Sequence, residues 1–171
     1  MLFKKTLLAS ALLALGGFAV SAGAATGPAT TSFQVKLVVQ KACSVAATDL
    51  DFGSHDATDT NFGQTTNGTV TVTCSKNTPY VVGLSPSNGN GNGAGSMSSG
   101  TTSDTVAYQL YKDSALSSPW GNSGSLASPG NEISGTGKGS ASVALNVYAK
   151  VTNANVEPGT YADTVNVNVT Y

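Results

Sequence analysis

Arginine is missing from the 171 residues: all eight basic side chains are lysines, set against nine acids for a formal net charge of −1. Without the planar guanidinium fork, and with no cluster of lysines in its place, the chain has no tool for nucleic-acid or phosphate recognition, and we expect no nucleic-acid partner. Charged residues make up only 10% and aromatics 7%. Catalytic signatures are equally scarce. His55, the sole histidine, stands beside Asp56, but with no G-x-S-x-G elbow and serine throughout, a Ser-His-Asp set is matched no better than chance. Two cysteines and one histidine do not fill a tetrahedral metal site, and no Cys-x-x-Cys occurs. Asp49, Asp51, Asp56 and Asp59 cluster without the D-x-[DN]-x-[DN]-G spacing of a calcium loop and read as a solvated acidic turn. Gly135-Thr136-Gly137-Lys138-Gly139-Ser140 resembles a phosphate-loop fragment, yet it feeds a strand instead of a helix and reads as a linker. The expectation is a chain that is not an enzyme, with no metal and no cofactor.

What the chain does hold is glycine, serine, threonine, asparagine and valine in short alternating runs, the composition of an all-β domain. The leader comes first. Lys4 and Lys5, an apolar run from Leu7 to Val20 and the small-x-small tripeptide Ala22-Gly23-Ala24 form a secretory signal peptide over residues 1–24. Its removal leaves a mildly acidic exported chain. Cys43 and Cys74 are then expected to form one disulfide in an oxidising compartment, worth about 3 to 4 kcal/mol for a loop of that length.

Period-two alternation predicts the strands. Phe33, Val35, Leu37 and Val39 mark one over 31–40, with Val38 out of phase; a weaker stretch covers Val45 to Phe52. Val70, Val72 and Cys74 put the second cysteine in phase with the core. Tyr80–Leu84 is a short apolar run, Val106–Tyr111 and Val143–Val151 alternate again, and Val165, Val167, Val169 and Tyr171 alternate with polar residues up to the last residue given. About seven strands without an amphipathic helix point to an antiparallel, immunoglobulin-type sandwich. The polar stretch from Ser85 to Ser103 is expected to be a mobile loop, and Gly121–Gly139 a Gly/Ser-rich connector. The aromatics Tyr108, Tyr111, Trp120, Tyr148 and Tyr161 read as core and rim packing in preference to a sugar platform. Two strongly patterned strands near the ends of the chain are either sheet neighbours or edges awaiting a partner, as in strand addition.

The order of these pieces resembles a known family. Phe33-x-Val35-x-Leu37 precedes Cys43-Ser44-Val45, then come Leu50-Asp51-Phe52-Gly53 and Val70-x-Val72-x-Cys74. Val106-x-Tyr108-x-Leu110-Tyr111-x-Asp113 is followed by Trp120-Gly121, and the C-terminal block runs Pro158-Gly159-Thr160-Tyr161-x-Asp163-Thr164-Val165-x-Val167-x-Val169-x-Tyr171. Together they are similar to the spore coat protein U family, which includes the Csu-type pilins of archaic chaperone-usher fimbriae. The resemblance implies an immunoglobulin-like domain (residues 42–171) lacking its final strand, preceded by a donor extension (residues 25–41). It implies that Phe33, Val35, Leu37 and Val39 are donor residues and that Val165, Val167, Val169 and Tyr171 edge an acceptor groove, with the carboxylate of Tyr171 as a chaperone's anchor. The implied partners are a periplasmic pilus chaperone, an outer-membrane usher, other pilus subunits and further copies in a homo-polymer. The implied location is a surface fibre, reached through the periplasm, that serves adhesion and biofilm formation. Two other readings stay open: a secreted coat or matrix protein whose 31–40 strand folds into its own groove, and a carbohydrate-binding module. Only Lys41 and Ala42 separate the donor from Cys43, which leaves little chain for a reversal and favours pairing between molecules.

Overall fold

A computed structural model describes residues 27–58 and 63–171. The expected leader over 1–24 and Asp59 of the acidic turn lie outside the described residues. The chain divides into two units, Met1–Val38 and Val39–Tyr171. Among its described residues the second contains eight strands: β1 (Cys43–Ala47), β2 (Thr65–Cys74), β3 (Pro79–Ser85), β4 (Ala94–Ser98), β5 (Thr105–Tyr111), β6 (Ile133–Thr136), β7 (Val143–Val151) and β8 (Asn166–Thr170). They form two antiparallel sheets, one in the order β1-β2-β7-β5-β4 and one in the order β6-β3-β8. The result is the expected all-β, immunoglobulin-like sandwich.

Alternation fills the space between the sheets. Val70, Val72 and Cys74 from β2, Val82 and Leu84 from β3, and Leu110 from β5 are all at most 2% exposed. β-branched and aromatic side chains suit such strands: β2 and β5 give one row to the core and the other outward, whereas β3 is buried on both faces from Tyr80 to Leu84. Trp120 is fully buried. Its backbone N–H donates to the Leu110 carbonyl of β5 at 2.9 Å, and its indole N–H donates to the Val82 carbonyl of β3, also at 2.9 Å. One residue on, the Gly121 carbonyl accepts from Leu84 at 2.9 Å, so this segment ties the two sheets together along the β4 and β6 side.

The polar stretches hold more order than their composition suggested. The expected mobile loop over 85–103 contains β4, whose Ala94, Gly95 and Met97 pair with Gln109, Tyr108 and Val106 of β5. Backbone pairing with β5 supplies the order that the sequence of this segment does not advertise. The connector over 121–139 contains β6, paired with β3, and Gly135 and Thr136 of the phosphate-loop look-alike end that strand. Before β6, the buried Glu132 carboxylate accepts hydrogen bonds from the Gly124 and Gly130 N–H groups, which fixes the connector. The weak strand expected over 45–52 starts earlier, at Cys43, and ends at Ala47, leaving Leu50 and Phe52 beyond it.

Cys43 and Cys74 form the expected disulfide, linking β1 to β2 at directly opposed positions with Cα atoms 4.1 Å apart. Cys74 is buried and Cys43 half-buried. Since β1 is otherwise held only by its backbone ladder to β2, replacing both cysteines with alanine should lower stability by about 3 to 4 kcal/mol. Denaturant titration checks this; a loss below about 1 kcal/mol would show that the ladder alone fixes β1.

Candidate functional site

Opposite the side closed by Trp120, the sheets end in β1 and β8. These two strands approach each other, yet no backbone hydrogen bond joins them among the described residues. The pairing pattern shows what each presents to the gap. In β1 the even-numbered residues face β2, since Ser75 donates to the Ala42 carbonyl and Thr48 donates to the Thr69 carbonyl. Cys43, Val45 and Ala47 therefore direct their N–H and C=O groups away from β2, and their side chains lie on the core face with Cys74, Val72 and Val70. In β3 the even-numbered Leu84 donates to Gly121 on the β6 side, so the odd residues face β8 and bond its even positions. That leaves Val165, Val167 and Val169 with their main-chain groups turned to the open edge and their side chains against the core.

The gap is thus a seam with two unpaired main-chain rails and an apolar floor. Its cavity, about 300 Å³, reaches the core at Val70, Leu84 and Leu110, with Leu50, Phe52 and Met97 at one end. Val45 is core-facing yet 41% exposed, and Tyr171, just past β8, is 46% exposed. The other large exposed apolar side chains among the described residues are Phe33, Val35, Leu37, Val38 and Val39. Residues 27–42 form no strand, and Phe33, Val35, Leu37 and Val39 are each more than four-fifths exposed. The expected strand over 31–40 is therefore not formed within the single chain. Among the described residues, every large apolar side chain left in water belongs either to this segment or to the seam.

Two ties hold the start of β8 to the other sheet. Ser98 and Ala162 exchange backbone hydrogen bonds of 3.0 and 3.1 Å, and the Tyr108 hydroxyl donates to Asp163 Oδ2 at 2.6 Å. The Tyr108 ring fills the space above Gly95, its direct partner in β4, where a Cβ would collide with the ring. Burial pushes the Tyr108 hydroxyl well above its ordinary range, and the hydrogen bond and charge of Asp163 push it further. At Asp163 burial acts upward too, but hydrogen bonds from Ser87, Tyr108 and the Thr164 N–H outweigh it and hold the carboxyl below its usual value.

The four expected groove residues thus lie on the open edge, three packed against the core and Tyr171 beyond the end of β8. The sequence had not indicated the second wall, β1, although Cys43-x-Val45-x-Ala47 alternates in phase with the cysteine. Met97, Tyr108 and Asp163 join the seam only through pairing between distant segments. Of the expected aromatic set, Tyr108 and Trp120 are buried, which removes both from any sugar platform.

Removing the cross-sheet tie should cost about 1 to 3 kcal/mol in either Tyr108→Phe or Asp163→Asn. A carboxyl held below its unfolded value, about 3.9, contributes fully at neutral pH and loses that contribution as pH falls through the folded value. The melting temperature should therefore drop on acidification below about pH 4, and by less in Asp163→Asn. Equal acid losses in both proteins would show that the Asp163 carboxylate adds nothing.

The sequence matches the Spore Coat Protein U domain over residues 29–168. No curated protein matches it. Among solved structures it is similar to a chain of the CsuC-CsuE chaperone-tip adhesion subunit pre-assembly complex from archaic chaperone-usher Csu pili of Acinetobacter baumannii, at 25% identity and a TM-score of 0.53. The likeness covers 78% of this chain but 40% of that one, so the present chain spans less than half its length. A match across nearly all the strands of a sandwich built in this way places the chain in the spore coat protein U domain family.

Proposed function

We propose that the chain is a structural subunit of an archaic chaperone-usher pilus that polymerises by donor-strand exchange. One observation carries the reading: the core-facing valines of β8 and β1 stand at an open seam between unpaired main-chain rails. Such an edge is a template for another strand and an aggregation hazard unless it is used. A segment of matching alternation lies in the same chain, over 31–40, with its apolar row in water. Burying Phe33, Val35, Leu37 and Val39 in a neighbour's seam is worth roughly 1.5 to 3 kcal/mol each, about 6 to 12 kcal/mol before ordering costs, with ladder hydrogen bonds added. A head-to-tail contact of this kind does not close on itself and builds a filament.

In this reading residues 1–24 are a signal peptide, 25–41 the donor extension and 42–171 the acceptor domain. A periplasmic chaperone holds the seam until an outer-membrane usher replaces it with the next subunit's extension. The fibre stands at the cell surface, joined to other pilus subunits, and serves adhesion and biofilm formation. The role is structural: the seam offers apolar area and main-chain hydrogen bonds, not reacting groups.

The test is to delete residues 25–40 from the mature chain and add a synthetic peptide of residues 31–40. The truncated domain should melt well below the full-length protein and recover with peptide, while the full-length protein should form concentration-dependent, heat-sensitive ladders. A truncated domain of unchanged stability that ignores the peptide would mean that the sandwich is complete without a donor, and the coat-protein reading would take over.

A further inference from the structure

The seam opens at one end into a second hollow of about 380 Å³, which shares Leu50, Phe52, Met97 and Tyr161 with it. Its floor is apolar, with Val106 and Val151 of the core, while Asp51, Asp56 and Glu157 line it together with His55. The charge around it is one-sided. The strand order brings the loops 48–58, 99–104 and 152–164 to this end of the domain, and among their described residues they carry Asp49, Asp51, Asp56, Asp104, Glu157 and Asp163 and no lysine. The opposite end, where β1 starts and β8 finishes, carries Lys76 and Lys138 in exposed turns. The chain enters the domain at that lysine-bearing end, through Lys41 and Ala42.

A donor strand lies in the seam in one of two directions. Antiparallel to β8, Val39 stands beside Val165, Leu37 beside Val167, Val35 beside Val169 and Phe33 beside Tyr171, a one-to-one register of apolar rows. Continued by two residues, this register sets Lys41 beside Asp163, which lines the seam two residues from Tyr161, where seam and hollow meet. Lys41 shares the odd parity of the donor's apolar row, so its side chain turns to the hollow and not to solvent. In the parallel direction Lys41 would arrive at the end carrying Lys76 and Lys138, where like charges oppose it.

We infer that the acidic hollow at the end of the seam is a docking site for Lys41 of the next copy of this chain, and that this charge pairing sets the direction in which subunits join. The inference rests on the donor-strand reading and adds to it a contact outside the donor's apolar row. The apolar floor takes the methylene stem of the lysine and the carboxylates on its rim take the ammonium. Opposite potentials meeting across an interface mainly accelerate association and suppress the wrong orientation, so the effect belongs to assembly rate and its salt dependence.

The experiment follows reassembly of the full mature chain by light scattering in wild type, Lys41→Glu, Glu157→Lys and the double variant. All substituted side chains are exposed, so the core is untouched. At low salt each single reversal should slow assembly about tenfold and the double variant should recover most of the lost rate. At about 1 M salt, where the screening length is roughly 3 Å, the four rates should converge. Should a reversal disturb the circular dichroism spectrum, Lys41→Gln and Glu157→Gln carry the same test with an effect of about threefold. Single variants that assemble at the wild-type rate in low salt, while still giving heat-sensitive ladders, would overturn the docking site and leave the donor-strand reading intact. Failure of the 31–40 peptide, which lacks Lys41, to rescue the truncated domain would instead remove the donor-strand reading and this inference with it.

Discussion

An immunoglobulin-like sandwich keeps its core dry by closing both sides between its sheets, and here the segment around Trp120 closes one while β1 and β8 leave the other open. The consequences spread from that asymmetry. Val165, Val167 and Val169 pack against the core on one side only, and Val45 faces the core while standing in water. The polar half of the problem is as large as the apolar half. Unpaired N–H and C=O groups along both rails need partners once water is displaced, and only another extended backbone supplies them in a regular row.

The rest of the domain is built to hold that opening in shape. The disulfide locks β1 to β2 at one end of the rail. At the other end, Ser98 with Ala162 and Tyr108 with Asp163 tie the approach to β8 onto the opposite sheet. The Tyr108 ring needs the bare backbone of Gly95 beneath it, so a glycine in an apparently featureless polar run has a packing reason. The seam is thus pinned at both ends, by the disulfide and by the cross-sheet ties.

Ten percent charged residues is sparse, yet six of the nine acids lie in the loops at one end of the domain, with Lys150 near the end of β7 beside them, while Lys76 and Lys138 occupy the other end. In the proposed donor-strand contact, burial of the 31–40 apolar row would supply the strength, and the opposite charges at the two ends of the domain would supply direction and rate.

By itself the sequence determined the class of fold, the alternating rows of β2, β5, β7 and β8, the apolar run of β3, the Cys43–Cys74 link and the alternation of Phe33-x-Val35-x-Leu37-x-Val39, because period-two patterning records directly which side chains share one face of a strand. Tertiary structure decided what that patterning does not record. β4 and β6 draw their order from pairing with β5 and β3, so Gly- and Ser-rich segments became strands without apolar alternation of their own. The second rail, β1, and the cross-sheet tie of Tyr108 to Asp163 depend on which distant segments become neighbours. Whether a patterned strand finds its partner within the chain is also a tertiary matter: the 31–40 row has the same alternation as β8, but only the fold shows one row packed on a core and the other left in water.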